Sequence, residues 1–438
     1  MISRQGMFSS SRRQFLAGAT ALSLAGLVDR AWGQQQPLSA MWFDWGPWNA
    51  AGESIFASGS VPVTLRKTVF GDMDRLTRSL PDQPDPFDLV MVDGPSIPTY
   101  VAAGLLEPVD DAFTDDIADF LPSPRRAATI GGKIYGPAMD ESSQALWYNK
   151  AILDRYNIVP PSTLETAWTW EQAREIFIEV QAKERERLKS DRFWALVIGQ
   201  DGSLGGGVYT GQNLSRSAGE AGSPTYKAIG DDGITVAGYL DTPEAMDAYR
   251  FIQNLYNKDG LVPLSEGPDF FQNEQCAFWL AAVSRRRAFM QANPNLVAGV
   301  TPHPHFKTPV VHTGSFHVAV SAYSRRKDDA KRALAHLASA DGIEAMAKAA
   351  GDFPSRQSLI PRFTELTQAP LDIFAKTVEQ WGHPRPLTPG FAEYGVAVDR
   401  MLKEIASGAD VSSTVAATVA DLQRRLRRYA GFKETLGK

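Results

Sequence analysis

The stretch "PFDLVMVDG" at residues 86–94 sets the tightest limit on the fold. An apolar run of strand length that stops at Asp93, Gly94 and Pro95 is the pattern of a buried strand ending at a turn, with a loop at its C-terminal end. Helical periodicity surrounds it in the chain. In "TWEQAREIFIEVQAKERERLK", Thr169 and Gln172 form a capping box, and Ala173, Ile176, Phe177 and Val180 recur on one face. "DTPEAMDAYRFIQNLYNKDG" has Thr242 as cap, Pro243 at the first helical position and Gly260 beyond the end, with Met246, Tyr249 and Ile252 inward. A further helix is expected at "DDAKRALAHLASA", and another from Val411, with Val415, Leu422 and Leu426 on its buried side. Between the helices, "CAFWLA" (276–281) and "HVAVS" (317–321) read as buried strands. The class is α/β, without repeats or heptads and with one glycine-rich stretch at 201–211.

A chain of 438 residues is too long for one typical domain, so more than one packed unit is expected. Its formal charge of −5 carries no broad basic field, which excludes nucleic acid or an anionic membrane surface as the main partner. The single cysteine, Cys276, rules out an internal disulfide and reads as a core residue, and Trp279 beside it reads as core too. At the N-terminus, Ser11-Arg12-Arg13-Gln14-Phe15-Leu16 precedes an apolar stretch to Val28 and a small-residue end at Ala31 to Gly33. The run is too short for a membrane anchor and resembles a twin-arginine export signal, read by a receptor. Residues 1–33 hold four basic residues and one acid, so their removal leaves a mature charge of −8. With no cysteine at the end of the apolar run to mark a lipoprotein, a soluble periplasmic protein is expected.

Enzyme signatures are missing. There is no HExxH, GxSxG, Walker-type lysine loop or CxxC, and "GSLGGGVYTG" lacks a dinucleotide fingerprint, so neither a catalytic residue nor a cofactor is assigned. His303 and His305 in "PHPHF" have no spaced carboxylate or cysteine set to complete a metal site, and they read as a solvated hinge or loop. The acids Asp110, Asp111, Asp115 and Asp116 read as a solvated face at a helix start.

The order of several segments carries a resemblance. "FDLVMVDGPSIPTYVAAGLLEPVDD", "GGKIYGPAMDESSQALWYNKAILDRYNIVPPSTLETAWTWEQ", "NEQCAFWLAAVSRRRAF", "VVHTGSFHVAVSAYSRRKDDAKRALAHLAS" and "AAGDFPSRQSL" together resemble the carbohydrate-type extracellular solute-binding proteins of ABC importers, over nearly the whole mature chain. The resemblance implies a two-lobed periplasmic binding protein of the Venus-flytrap type. Lobe 1 would be 38–138 plus 304–350, lobe 2 145–302 plus 351–438, and the hinge crossings 139–144 and 302–304. The implied function is capture of a sugar or sugar derivative in the interlobe cleft and its delivery to an ABC transporter permease, by a monomer.

The resemblance places the ligand contacts at Asp44, Trp45 and Trp48 after the first strand, Asp93 and Pro95 at the next cleft loop, and Asp140, Glu141 and Ser142 on the crossing. Gly314, Ser315 and His317 follow on the glycine-containing strand, then Arg356 on the "FPSR" turn and Tyr394. Plainer readings stand beside some of these: Asp140 and Glu141 as solvated hinge acids, Arg356 as the partner of a surface acid, His317 as a structural histidine. In "AMWFDWGPWN", Trp42 is assigned to the core and Trp45 and Trp48 to a cleft loop, on the ground that Gly46 and Pro47 break a helical stripe. Departures from the family pattern occur in the short helix around "AGESIFASG" and at Ala281 and Val283, where a glycine and a cleft-facing tryptophan are usual. They point to a ligand smaller than, or different from, a long maltose-like oligosaccharide. Arg356 would suit a carboxylate or sulfonate. A non-sugar solute such as a polyamine would use the same fold, and a carbohydrate-processing enzyme would need two opposed carboxyl groups.

Overall fold

The computed structural model describes residues 36–113, 116–199, 204–265 and 269–432. The proposed export signal and Asp115 lie outside them. The chain divides into Met1–Pro37, of which only Gln36 and Pro37 are described, and Leu38–Lys438, to which everything below belongs.

The first sheet contains β1 (Leu38–Phe43), β2 (Val63–Thr68), β3 (Leu89–Asp93), β4 (Leu106–Glu107) and β12 (Phe316–Ser321), in the order β2-β1-β3-β12-β4. β1 runs parallel to β2 and β3, whereas β12 is antiparallel to β3 and β4. Every residue of β3 from Leu89 to Val92 is buried, as the unbroken apolar run predicts. The helices Gly46–Ser58, Lys327–Leu337 and Ala340–Ala350 pack on one another beside this sheet.

A two-stranded pair, β5 (Thr129–Ile130) with β6 (Lys133–Ile134), precedes the second sheet. That sheet contains β7 (Gln144–Asn149), β8 (Trp194–Val197), β9 (Cys276–Ala282) and β10 (Ala298–Thr301), in the order β10-β7-β9-β8. Alternation along β9 sends Phe278 and Leu280 into one core, with Phe177, Ile252 and Met401. Trp279 and Ala281 enter another, with Trp147, Phe289 and Phe374. A sheet with a core on each face needs strands apolar on both sides, which is why "CAFWLAA" is buried at every position. A further short pair joins β11 (Val311–His312) to β13 (Gly382–His383).

Local signals in the sequence account for the helices. Thr169 Oγ1 accepts from Gln172 N at 3.2 Å and Gln172 Oε1 accepts from Thr169 N at 2.9 Å, so both halves of the capping box form at the start of Trp170–Leu188. Thr242 caps Pro243–Asn257, and Asp410 caps Val411–Leu426.

Two expectations fail. Trp42 is buried as expected, but the helix Gly46–Ser58 begins directly after Trp45, and Pro47 stands in its first turn, where its missing N–H costs nothing. Trp48 is therefore a residue of the first helical turn rather than of a loop. His303 is also not solvated: it is 2% exposed, its ring lies edge-on to Trp170, and burial pushes it down to about 4.

Candidate functional site

The passages between the sheets are laced by backbone hydrogen bonds. Ser142 N donates to Gly314 O at 3.1 Å and Gly314 N to Ser142 O at 3.2 Å, while Glu141 and Phe353 exchange bonds of 2.8 and 3.0 Å. The chain after β10 keeps to the second sheet's side, with Lys307 N and Thr308 N both donating to Ser217 O, before it reaches this lacing at Gly314. Three buried carboxyl groups gather here. Burial pushes Glu141 up to about 8 and Asp352 up to about 7, and it raises Asp140 well above the usual carboxylate value, with Asp352 and Glu141 adding to the effect. Asp140 and Glu141 are 4% and 0% exposed, so they are not solvated acids.

Next to this junction, strand ends from both sheets meet. Asp93 closes β3, and Tyr209 belongs to the helical turn Gly207–Gly211 that follows β8. Arg385, just after β13, donates from Nη2 to Asp93 Oδ1 at 2.6 Å, and Tyr209 donates to Asp93 Oδ2 at 3.2 Å. The guanidinium lies 4.4 Å over the Tyr209 ring, and the Arg385 side chain is only 2% exposed. Burial alone would lower its pKa; Asp93 and Tyr209 more than offset this, and the group stays charged. Arg385 Nε and Nη1 and Glu141 Oε2 are buried with no hydrogen-bond partner among the described residues. A small cavity of about 10 Å³, room for about one water molecule, lies against Arg385, Pro95, Ser123 and Thr313. His312 sits behind it against the Tyr209 ring; burial first and Arg385 second hold it well below the usual histidine value. Asn213 Nδ2 and Gln144 continue the polar layer, with Gln144 Nε2 donating to Thr210 Oγ1 at 2.9 Å.

At the C-terminal edge of the first sheet, Phe43 stacks on Phe316 with centroids 5.2 Å apart, and Phe70 meets both edge-on. Phe70 is 47% exposed and Trp45 is half-buried, so this edge presents an open aromatic surface. Asp44 is exposed beside it and accepts from Asn49 Nδ2 at 2.7 Å.

The structure thus brings Asp93, Pro95, Glu141, Ser142, Gly314 and Ser315 together around the junction, with Asp140 behind it on the Phe316 amide. Four other expected contacts are occupied elsewhere. Trp48 is 1% exposed and packs edge-on to Phe316, because the first helical turn points it into the core. Arg356 is held by Asp116 at 3.1 Å, Asp119 at 3.3 Å and Ala338 O at 2.8 Å, over the Phe120 ring, which leaves it no freedom to bind a carboxylate or sulfonate. Tyr394 is fully buried in the second sheet's core, hydrogen-bonded to Gln212 and Ala228 O. His317 is structural: Nδ1 donates to Gly136 O at 3.0 Å, which leaves Nε2 to accept from Ser315 Oγ at 3.0 Å. Gly94 is required beneath it, since a Cβ there would stand 2.8 Å from His317 Nε2.

The residues that sequence reasoning missed are Arg385, Tyr209, Phe70 and Phe316. The "HPRP" setting of Arg385 was the available signal, because one cation between two prolines sits on a backbone of fixed direction. Tyr209 is the one aromatic of the glycine-rich stretch.

Comparison with known proteins agrees with this architecture. A Thermotoga lettingae ABC transporter solute-binding protein bound with alpha-D-tagatose superposes with a TM-score of 0.74 at 18% identity, over 90% of this chain and 100% of that one. UgpB from Mycobacterium tuberculosis in complex with glycerophosphocholine gives 0.74 at 19%, over 90% and 99%. The Thermus thermophilus maltotriose-binding protein gives 0.68 at 21%, over 89% and 99%. These likenesses make the fold that of the two-lobed solute-binding proteins. A putative binding protein of Brucella abortus is 22% identical over 331 residues, covering 70% of this chain and 72% of its own length. The sequence pattern of bacterial extracellular solute-binding proteins matches residues 70–344, more than half of the chain, and the chain belongs to that family.

Proposed function

We propose that the protein captures a sugar or sugar derivative between its two lobes and delivers it to the permease of an ABC importer. One observation carries the ligand class: buried donors on Arg385 and a buried carboxyl oxygen of Glu141, none with a close hydrogen-bond partner among the described residues, lie at the junction of the lobes. A hydroxyl group accepts and donates at once, so a polyhydroxylated solute answers both needs. The open ring faces of Trp45 and Phe70 suit the apolar side of a pyranose. Solved relatives bound to tagatose and maltotriose support the same class. A polyamine is disfavoured, because a second cation would meet the Arg385 guanidinium in a dry site. The cavity of about 10 Å³ admits no sugar, so binding requires the lobes to open and close again.

The lobes are taken as 38–138 plus 304–350 and 145–302 plus 351–438, with crossings at 139–144 and 302–304. The bonds of Lys307 and Thr308 to Ser217 favour moving the return passage to between Thr308 and Gly314. Export by the twin-arginine route to the periplasm, a monomeric state and the absence of turnover complete the reading.

Thermal-shift and calorimetric screening against monosaccharides, disaccharides, polyols and sugar acids is expected to find stabilisation with no product by chromatography. Stabilisation by putrescine or spermidine alone, or product in the mixture, would sink the reading. Replacing Arg12 and Arg13 by lysine is expected to leave the chain in the cytoplasmic fraction; unchanged export would refute the route.

A further inference from the structure

A cavity of about 590 Å³ lies away from the Asp93–Arg385 junction. The helix Arg285–Ala292 that follows β9, the C-terminal end of the helix Ala340–Ala350 and the segment 362–366 line it, and it opens to the surface. Its volume falls within the range of small-molecule sites.

The lining is electropositive. Arg286, Arg287, Lys348 and Arg362 face two carboxyl groups, Asp352 and Glu365. Arg286 pairs with Glu365, while Lys348 and Arg362 share Glu344. Arg287 has no carboxylate partner among the described residues: its Nη1 and Nη2 donate to Ala349 O at 3.1 Å and Lys348 O at 3.2 Å, the carbonyl end of the neighbouring helix. Gly351, at φ +75°, ends that helix, and a Cβ on it would approach Arg287 Nη2 to 3.7 Å. Asp352 is 6% exposed at the edge of this space, and its carboxyl group is hydrogen-bonded to Ser284. Val283, Ala347, Phe363 and Leu366 supply an apolar floor.

We propose that this cavity is a second binding site, for a small organic anion that joins a carboxylate or phosphate group to an apolar body. Arg287 and Lys348 hold the anionic group, and the apolar body rests on Phe363 and Leu366. The site draws on the layers of both sheets and is independent of the sugar assignment.

Calorimetry on the purified chain with phenyl phosphate, benzoate, inorganic phosphate and phenol tests it. Saturable binding of phenyl phosphate or benzoate, at least tenfold tighter than inorganic phosphate or phenol, is expected, and the preferred one tells phosphate from carboxylate. Arg287→Gln is expected to weaken that binding at least tenfold. Gln291→Trp, which fills the cavity from an exposed position without removing a charge, is expected to do the same with Tm unchanged, so a folding defect in the first variant does not decide the matter. Phe70→Ala, which leaves Tm within a degree or two, is expected to leave the anion's affinity within twofold. No saturable binding, equal affinity for inorganic phosphate, binding unaffected by Gln291→Trp, or binding lost only in Phe70→Ala would each overturn the proposal.

Discussion

Arg385 and Asp93 join chain segments 292 residues apart through a contact of 2.6 Å, with 2% and 15% of their side chains exposed. Removing one partner of so enclosed a pair leaves the other as an uncompensated charge, at a cost of about 3–5 kcal/mol. Arg385→Met is therefore expected to lower the unfolding free energy by about that much, and Asp93→Asn by a similar amount, since it strands the guanidinium against Tyr209. The double variant strands neither charge. It is expected to cost less than the sum, with a coupling of about 2–3 kcal/mol in the double-mutant cycle. The assay is urea unfolding at pH 7, read by far-UV circular dichroism and by tryptophan fluorescence, with coincidence of the two curves as the condition for using free energies. Additivity within about 0.5 kcal/mol would refute the argument, because it would mean that water reaches the pair and screens it.

Other expectations follow from the same geometry. Glu141 is raised from 4.5 to about 8 by burial, so its neutral form is the one that stabilises the fold. That contribution is complete below pH 4.5 and is lost as pH rises to about 8, at roughly 1.4 kcal/mol per unit. Asp352, raised to about 7, acts in the same direction, whereas the histidines lowered by burial take up protons on unfolding near their ordinary value of 6.5 and act in the opposite one, so the comparison is with the parent chain: Glu141→Gln should make stability fall less steeply between pH 7 and 8, and an unchanged slope would contradict it. Trp48→Ala should cost about 3–5 kcal/mol of stability, as for a buried aromatic, whereas Phe70→Ala should leave Tm within a degree or two and weaken sugar binding. A folded Trp48→Ala with normal stability would show that the helix start is misplaced. His317→Phe removes the acceptor for Ser315 and the donor to Gly136 O, and it should destabilise by about 2–3 kcal/mol; sugar affinity lost with stability intact would restore His317 as a ligand contact.

The fold was legible because its strands carry their own signal. β3 and β9 are buried at nearly every position, and such runs can only be interior strands between helices, whatever their order in the sheet. The caps at Thr169, Thr242 and Asp410 act within three residues, the range over which sequence alone determines structure. Gly46-Pro47 was misread because the same dipeptide that ends a strand also opens a helix, and only the burial of Trp48 beside Phe316 decides between them. The site was legible only in part for a similar reason. Asp93 and Pro95 follow a recognisable strand, but Arg385 reaches Asp93 from 292 residues away. Arg356 shows the converse. Its turn resembles the family's, yet its charge is taken up by Asp116 and Asp119, acids read at the sequence level as a solvated face or not singled out at all.

Under the proposed function, Arg385 serves both to hold the strand ends together and to meet a ligand. A guanidinium with five N–H donors gives one to Asp93 here, and Tyr209 covers its face, while Nε and Nη1 are left without a partner among the described residues. Each buried donor left unpaired costs about 1–3 kcal/mol, so a solute hydroxyl placed against Nε or Nη1 would favour the arrangement that holds it. The pair to Asp93 brings the strand ends together, and on the proposed function the remaining donors would bias closure toward a state that holds a polar solute. Population shift needs that differential and nothing more: closure is favoured by as much as the ligand's contacts in the closed form exceed those in the open one.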